Sequence, residues 1–93
     1  VPHFVLTCID KPDALDRRMA AREAHLAHVR QSGIVKLAGP FLDADGGMAG
    51  SLVIVEADDL SAAQAFSDAD PYVAADVFQS IDIRPFRLSI GEL

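Results

Sequence analysis

HFVLTCID, residues 3–10, reads as a β-strand, and the chemistry of its two faces decides the fold. Successive side chains of a strand alternate sides. Phe4, Leu6 and Cys8 therefore point one way, while Val5, Thr7 and Ile9 point the other. GSLVIVE, residues 50–56, repeats the pattern, with Val53 and Val55 opposed to Leu52 and Ile54. An antiparallel strand with one wet face alternates apolar and polar residues. These two do not alternate, so both faces of their sheet are expected to be covered.

Outward from that strand, Lys11 and Pro12 break the pattern and Asp13 is placed to cap a helix over residues 13–32. Gly33 closes it in the usual position past a helix end. A second strand is expected over 34–38, stopped by Gly39 and Pro40. DADGG, residues 43–47, has hairpin chemistry and leads into the third strand at 50–56. Ser61 followed by Gln64 has the spacing of a capping box for a second helix carrying Ala62, Ala63, Ala65 and Phe66. Pro71 suits the first position of a further short turn through Ala75. Residues 77–90 form a last long strand, bent or bulged at Pro85 because proline cannot pair within a central ladder.

No repeat, low-complexity tract or linker divides residues 1–93, which read as a single domain. The order βαββαβ predicts an α+β ferredoxin-like sandwich with both helices on one sheet face. A second subunit laying its sheet against the first would cover the other face, making a dimeric α/β barrel. A homodimer or higher homo-oligomer is therefore expected. The composition agrees: 51% of the chain is hydrophobic, more than a core this small consumes.

Fourteen acidic residues against eight basic ones give a net charge of −6, with no Lys/Arg cluster to relieve it. Nucleic acid and anionic membrane require the opposite sign, so neither is an expected partner. No apolar run has transmembrane length, and no signal-peptide pattern is present. Cys8 is the single cysteine, which rules out an internal disulfide. Its place in an apolar strand suggests a packed thiol in a reducing compartment, hence a cytoplasmic protein. With no basic residue beside it, Cys8 is not the expected nucleophile. His25 and His28 lie three apart, yet there is no HExxH, no paired cysteine and no phosphate-binding glycine motif. Neither a metal nor a cofactor is expected.

The first helix carries the candidate chemistry. At about 100° per residue, Leu15, Met19, Leu26 and Val29 fall in an arc facing the core. Arg22 projects inside that arc, and Arg18 and His25 lie at its edge. Burying an unpaired guanidinium costs several kcal/mol, so a polar pocket under the helix reconciles the pattern. In the alternative, Arg22 snorkels to water along its stem and His25 is a surface residue. Asp70-Pro71-Tyr72 is the second constellation. Proline pushes Asp70 out of the helical region, and its carboxylate either caps the following turn or pairs with His25 and fixes the imidazole tautomer. It could do both. Gly39 and Gly50 would allow close backbone approach, unless they are only strand-end punctuation. Ser51 offers a hydroxyl near the start of a strand. Asp82 and Arg84 share one face of the last strand and could pair.

Assembled in order, Arg22-Glu-Ala-His25-Leu26, Lys36-Leu-Ala-Gly39-Pro40, Gly50-Ser51-Leu-Val-Ile, Asp70-Pro71-Tyr72 and Ile83-Arg84-Pro85-Phe86 resemble the YciI-like (YCII-related) family over nearly the whole chain. The resemblance implies a dimeric α/β barrel with a His–Asp site, here His25 and Asp70, in a pocket beside the sheet. Related barrels include cofactor-free enzymes acting on small, often aromatic or lactone, metabolites. The expected function is a cofactor-independent enzyme performing proton transfer, isomerisation or elimination on a small aromatic or carbonyl compound. His25 is the general base or acid and Asp70 orients it. Arg22 holds an anionic group of the small-molecule ligand, and Gly39, Pro40, Ser51 and Tyr72 line the pocket. The alternative is a non-catalytic small-molecule-binding or accessory protein using the same pocket.

Overall fold

Strand formation by the apolar runs yields one antiparallel sheet in the computed structural model, which describes residues 2–93. The elements are β1 (His3–Asp10), α1 (Leu15–Ser32), β2 (Val35–Leu42), β3 (Met48–Glu56), α2 (Leu60–Asp68), α3 (Pro71–Ala74) and β4 (Phe78–Phe86). The strand order is β2-β3-β1-β4, with antiparallel pairing throughout. This is the α+β ferredoxin-like arrangement.

The two faces of β1 separate as the alternation requires. Phe4, Leu6 and Cys8 lie opposite Val55, Val53 and Ser51 of β3. With Ala57 of the following loop and Ala63 and Phe66 of α2, the apolar members form the main core, against which Val29 of α1 packs. Each such aliphatic or aromatic side chain contributes about 1.5–3 kcal/mol on leaving water. On the opposite face Val5 pairs with Ile54 and Thr7 with Leu52. There Ile9 and Leu37 remain about half exposed. A second small core of Ala14, Tyr72 and Val77 ties α3 to the start of α1 and shares Phe78 with the first.

Several boundaries differ from the sequence expectation. Asp13 does not cap α1: it sits at φ 59°, which aspartate tolerates, and Ala14 occupies the cap without a side-chain bond. At the other end Gly33 closes the helix at φ 70°, as expected. β2 does not stop at Gly39-Pro40 but runs through both to Leu42. It is an edge strand, where a proline lacking an N–H is tolerated. β3 starts earlier, at Met48. The capping box at Ser61 gives way to Asp59, whose carboxylate accepts from the Ala62 N–H at 2.8 Å. β4 ends at Phe86 rather than continuing to Ile90, and it too is an edge strand. Asp82 and Arg84 do pair, at 2.6 Å.

Candidate active site

Leu26 and Val29 of α1 face inward as expected, but the first half of the helix buries a different stripe from the one its apolar residues suggest. Leu15 and Met19 are 47% and 49% exposed, whereas Arg18 and His25 are 2% and 7% exposed. Ala14, Arg18, Ala21 and His25 recur at three- and four-residue spacing, so they share one face. That face meets α3 and the end of β1. The reason is compensation: each buried polar side chain on it finds a partner there.

Arg18 lies against Asp10, the last residue of β1. Its Nε donates to Asp10 Oδ2 at 2.8 Å and its Nη2 to Asp10 Oδ1 at 2.9 Å. Nη2 also donates to Ser51 Oγ at 2.9 Å. The guanidinium carbon stands 4.6 Å from the centre of the Tyr72 ring, a favourable cation–π distance. Burial opposes the Arg18 charge, but the Asp10 carboxylate outweighs it and raises the pKa further above its ordinary value. A forked, charge-assisted pair of this kind satisfies both partners without solvent. Gly50 helps to present Ser51 here. A Cβ at Gly50 would fall 2.5 Å from the Cys8 carbonyl oxygen, so β3 approaches β1 closely beside Ser51.

His25 Nδ1 and Asp70 Oδ1 are 2.8 Å apart and both side chains are buried. The same Oδ1 accepts from the Tyr72 N–H at 2.9 Å, so Asp70 caps α3 and meets the imidazole at once. The His25 ring stacks on Tyr72, with centroids 4.0 Å apart and planes 12° from parallel. Burial raises the Tyr72 pKa, although Arg18 and Arg22 act the other way. Burial also pushes the Cys8 thiol up to about 12, with the Asp70 charge adding to it. The thiol is thus protonated and unreactive at neutral pH.

A cavity of about 230 Å³ opens between α1 and the β2–β3 hairpin. Arg18, Arg22, His25, Ser51 and Tyr72 supply its polar groups, and Leu26, Val29, Met48 and Val53 its apolar wall. Gly39 and Pro40 line it from β2. The structure therefore gathers all seven expected residues at one place: His25, Tyr72, Ser51, Arg22, Gly39 and Pro40 on the cavity, and Asp70 behind His25. Two expectations need correction. Arg22, expected inside the core-facing arc, is exposed at the cavity wall, and the buried arginine is Arg18, expected at the edge of that arc. A Cβ added at Gly39 would meet nothing within 4 Å, so no contact within the chain demands glycine there. Asp10 escapes the sequence reading altogether; its one signal is an acidic residue ending an apolar strand eight positions before an arginine. His28 is not part of the site, since its Nε2 lies 3.0 Å from the Phe66 carbonyl oxygen. Among the described residues no group of three or more side chains could hold a metal ion, and no helix is long and apolar enough to cross a membrane.

Comparison with known proteins identifies relatives of the chain. The YCII-related domain matches residues 3–87. Protein YciI of Escherichia coli O6:H1 is 41% identical, the match covering 90% of this chain and 95% of that protein. A Haemophilus influenzae protein is 34% identical, covering 91% and 96% respectively. Among solved structures, the 5-chloro-2-hydroxyhydroquinone dehydrochlorinase TftG of Burkholderia phenoliruptrix AC1100, in complex with 2,5-dihydroxybenzoquinone, superposes with a TM-score of 0.84. It is 28% identical, over 96% of this chain and 95% of that one.

Proposed function

The chain belongs to the YCII-related domain family, and on that premise we propose that it is a cofactor-independent acid–base enzyme in which His25 moves a proton at a small-molecule substrate. The observation that carries this is the 2.8 Å contact between His25 Nδ1 and Asp70 Oδ1 at the wall of a cavity. An ionised carboxylate only accepts, so the neutral imidazole carries its proton on Nδ1 and a lone pair on Nε2. Among the described residues Nε2 has no hydrogen-bond partner, which leaves it for a substrate proton. Asp70 stabilises the imidazolium that forms and cannot swing away, being held by the Tyr72 N–H.

The chemistry fits a phenolic or enolisable compound. His25 removes a proton, and the released electron pair either shifts to give an isomer or expels a leaving group as an anion. The dehydrochlorinase activity named for TftG belongs to the second kind. Arg22 offers a cation at the cavity wall for an anionic group of the substrate, acting locally within a chain of net charge −6. Gly39, Pro40, Ser51 and Tyr72 shape the remaining wall. The cavity, at about 230 Å³, is smaller than the usual ligand site, which suits a single-ring compound. The sheet face without helices, where Val5, Leu37 and Leu52 remain at least partly exposed, is the surface through which two copies pair, completing a dimeric α/β barrel.

Screening chlorinated and unchlorinated hydroxyhydroquinones and small enolisable carbonyl compounds tests the reading. The wild-type protein turns over at least one of them, and His25→Ala lowers its rate about 10²–10⁴-fold while binding persists. Binding without turnover in the wild type would favour a ligand-binding or accessory role. Undiminished turnover in His25→Ala would remove the dyad. Sedimentation of the wild type and of Leu37→Asp tests the pairing: a wild-type monomer at micromolar concentration overturns it.

A further inference from the structure

Tyr72 is the most deeply enclosed aromatic side chain of the cavity wall, 2% exposed, and both of its faces are engaged. Arg18 and His25 are seven residues apart on α1, a rise of about 10.5 Å, and point from the same face. The small side chain of Ala21 lies between them and packs against the second core, which includes Tyr72. The ring enters that gap, with the imidazole stacked 4.0 Å from its centroid and the guanidinium carbon 4.6 Å from it. The Phe78 ring packs near-perpendicular to it, at 83° with centroids 5.8 Å apart. A substrate ring therefore has no free face of Tyr72 on which to stack.

We propose that Tyr72 is a positioning residue whose aromatic plane, wedged between Arg18 and His25, holds the imidazole in the orientation that keeps Nδ1 on Asp70 and leaves Nε2 to the cavity. This rests on the dyad reading of the site. A carboxylate alone fixes one ring nitrogen but leaves the imidazole free to tilt about that hydrogen bond. A plane stacked at 12° removes the tilt. The ring also keeps the fixed positive charge of Arg18 away from the nitrogen that must accept a proton. The stacking on the imidazole belongs to the ring face, while the hydroxyl interacts with Arg18, so phenylalanine should still hold the imidazole and a non-planar side chain should not. Backbone and ring act together here: the Tyr72 N–H holds the Asp70 oxygen while the Tyr72 ring holds the imidazole.

The test is nuclear magnetic resonance of ¹⁵N-labelled protein, which requires no substrate and is independent of whether the protein is an enzyme. In the wild type the His25 ring protons should be shifted upfield by the Tyr72 ring current, and the nitrogen shifts should report a single Nδ1–H tautomer. Tyr72→Phe should preserve both signatures. Tyr72→Leu should lose the upfield shift and show a mixture of tautomers; Tyr72→Met, whose unbranched side chain fills irregular gaps more readily, supplies the same comparison should the leucine variant not fold. Where a substrate is known, kcat should fall in Tyr72→Leu and be restored in Tyr72→Phe. A wild-type His25 without the ring-current shift overturns the stacking. A single Nδ1–H tautomer in the leucine or methionine variant overturns the positioning role, because Asp70 then suffices. Equal losses in Tyr72→Phe and Tyr72→Leu overturn the assignment to the ring face.

Discussion

Replacing Asp10 by alanine removes the partner of a guanidinium that is almost wholly out of water. The Arg18 and Asp10 side chains are 3% and 7% exposed and share two hydrogen bonds of 2.8 and 2.9 Å. After the change Arg18 keeps only the Ser51 hydroxyl and the Tyr72 face. Stranding a buried charge in this way costs about 3–5 kcal/mol. A domain of this size is stable by about 5–15 kcal/mol in total, and each kcal/mol moves its melting temperature by about 4–8 °C. Asp10→Ala should therefore melt about 12–40 °C below the wild type. The double variant Asp10→Leu/Arg18→Met removes both charges and should recover most of that loss, since an apolar pair of similar volume is often neutral or better. Urea denaturation of the wild type, Asp10→Leu, Arg18→Met and the double variant closes the cycle; because either single change strands a buried charge, the expected coupling is at least about 3 kcal/mol. A coupling near zero, or a cost for Asp10→Ala below about 1 kcal/mol, would match a solvent-screened surface pair. It would refute the enclosed network from which the site is built.

Arg22→Leu is the counterpart. Its exposed guanidinium makes no ion pair among the described residues, so stability should stay within about 0.5 kcal/mol of wild type while small aromatic carboxylates bind more weakly, read by calorimetry. Gly50→Ala should destabilise by about 1–3 kcal/mol, because its Cβ would strike the Cys8 carbonyl oxygen at 2.5 Å, and thermal melts should show Gly39→Ala nearly neutral in comparison. The Cys8 thiol, raised from 9.0 to about 12 in the fold, makes the unfolded chain release its proton first. Stability from this group is complete below about pH 9 and declines as the pH rises from about 9 to about 12. Alkaline denaturation should show that decline, and Cys8→Ala should flatten it.

The apolar runs and their breakers determined the element order, and the two-sided strands at residues 3–10 and 50–56 determined that the sheet is covered on one face by the chain's own helices and left apolar on the other. These are local signals: alternation with period two, turn residues and a glycine past a helix end act over a few neighbours. His25 and Asp70 were also legible, each from its immediate surroundings, and the fold brings them to 2.8 Å. Tertiary structure decided what local periodicity cannot. It set which sheet face receives the helices, placing Val53 beneath them and Ile54 on the opposite face. It turned α1 so that Arg18 and not Arg22 is buried, against the order suggested by Leu15 and Met19. The physical reason is that a polar side chain's burial depends on the partner waiting at its destination. For Arg18 that partner, Asp10, is supplied by the end of another element, and its second, Ser51, is 33 residues away along the chain. A helical wheel contains neither, so the charge that looked costly to bury was the one the fold could satisfy.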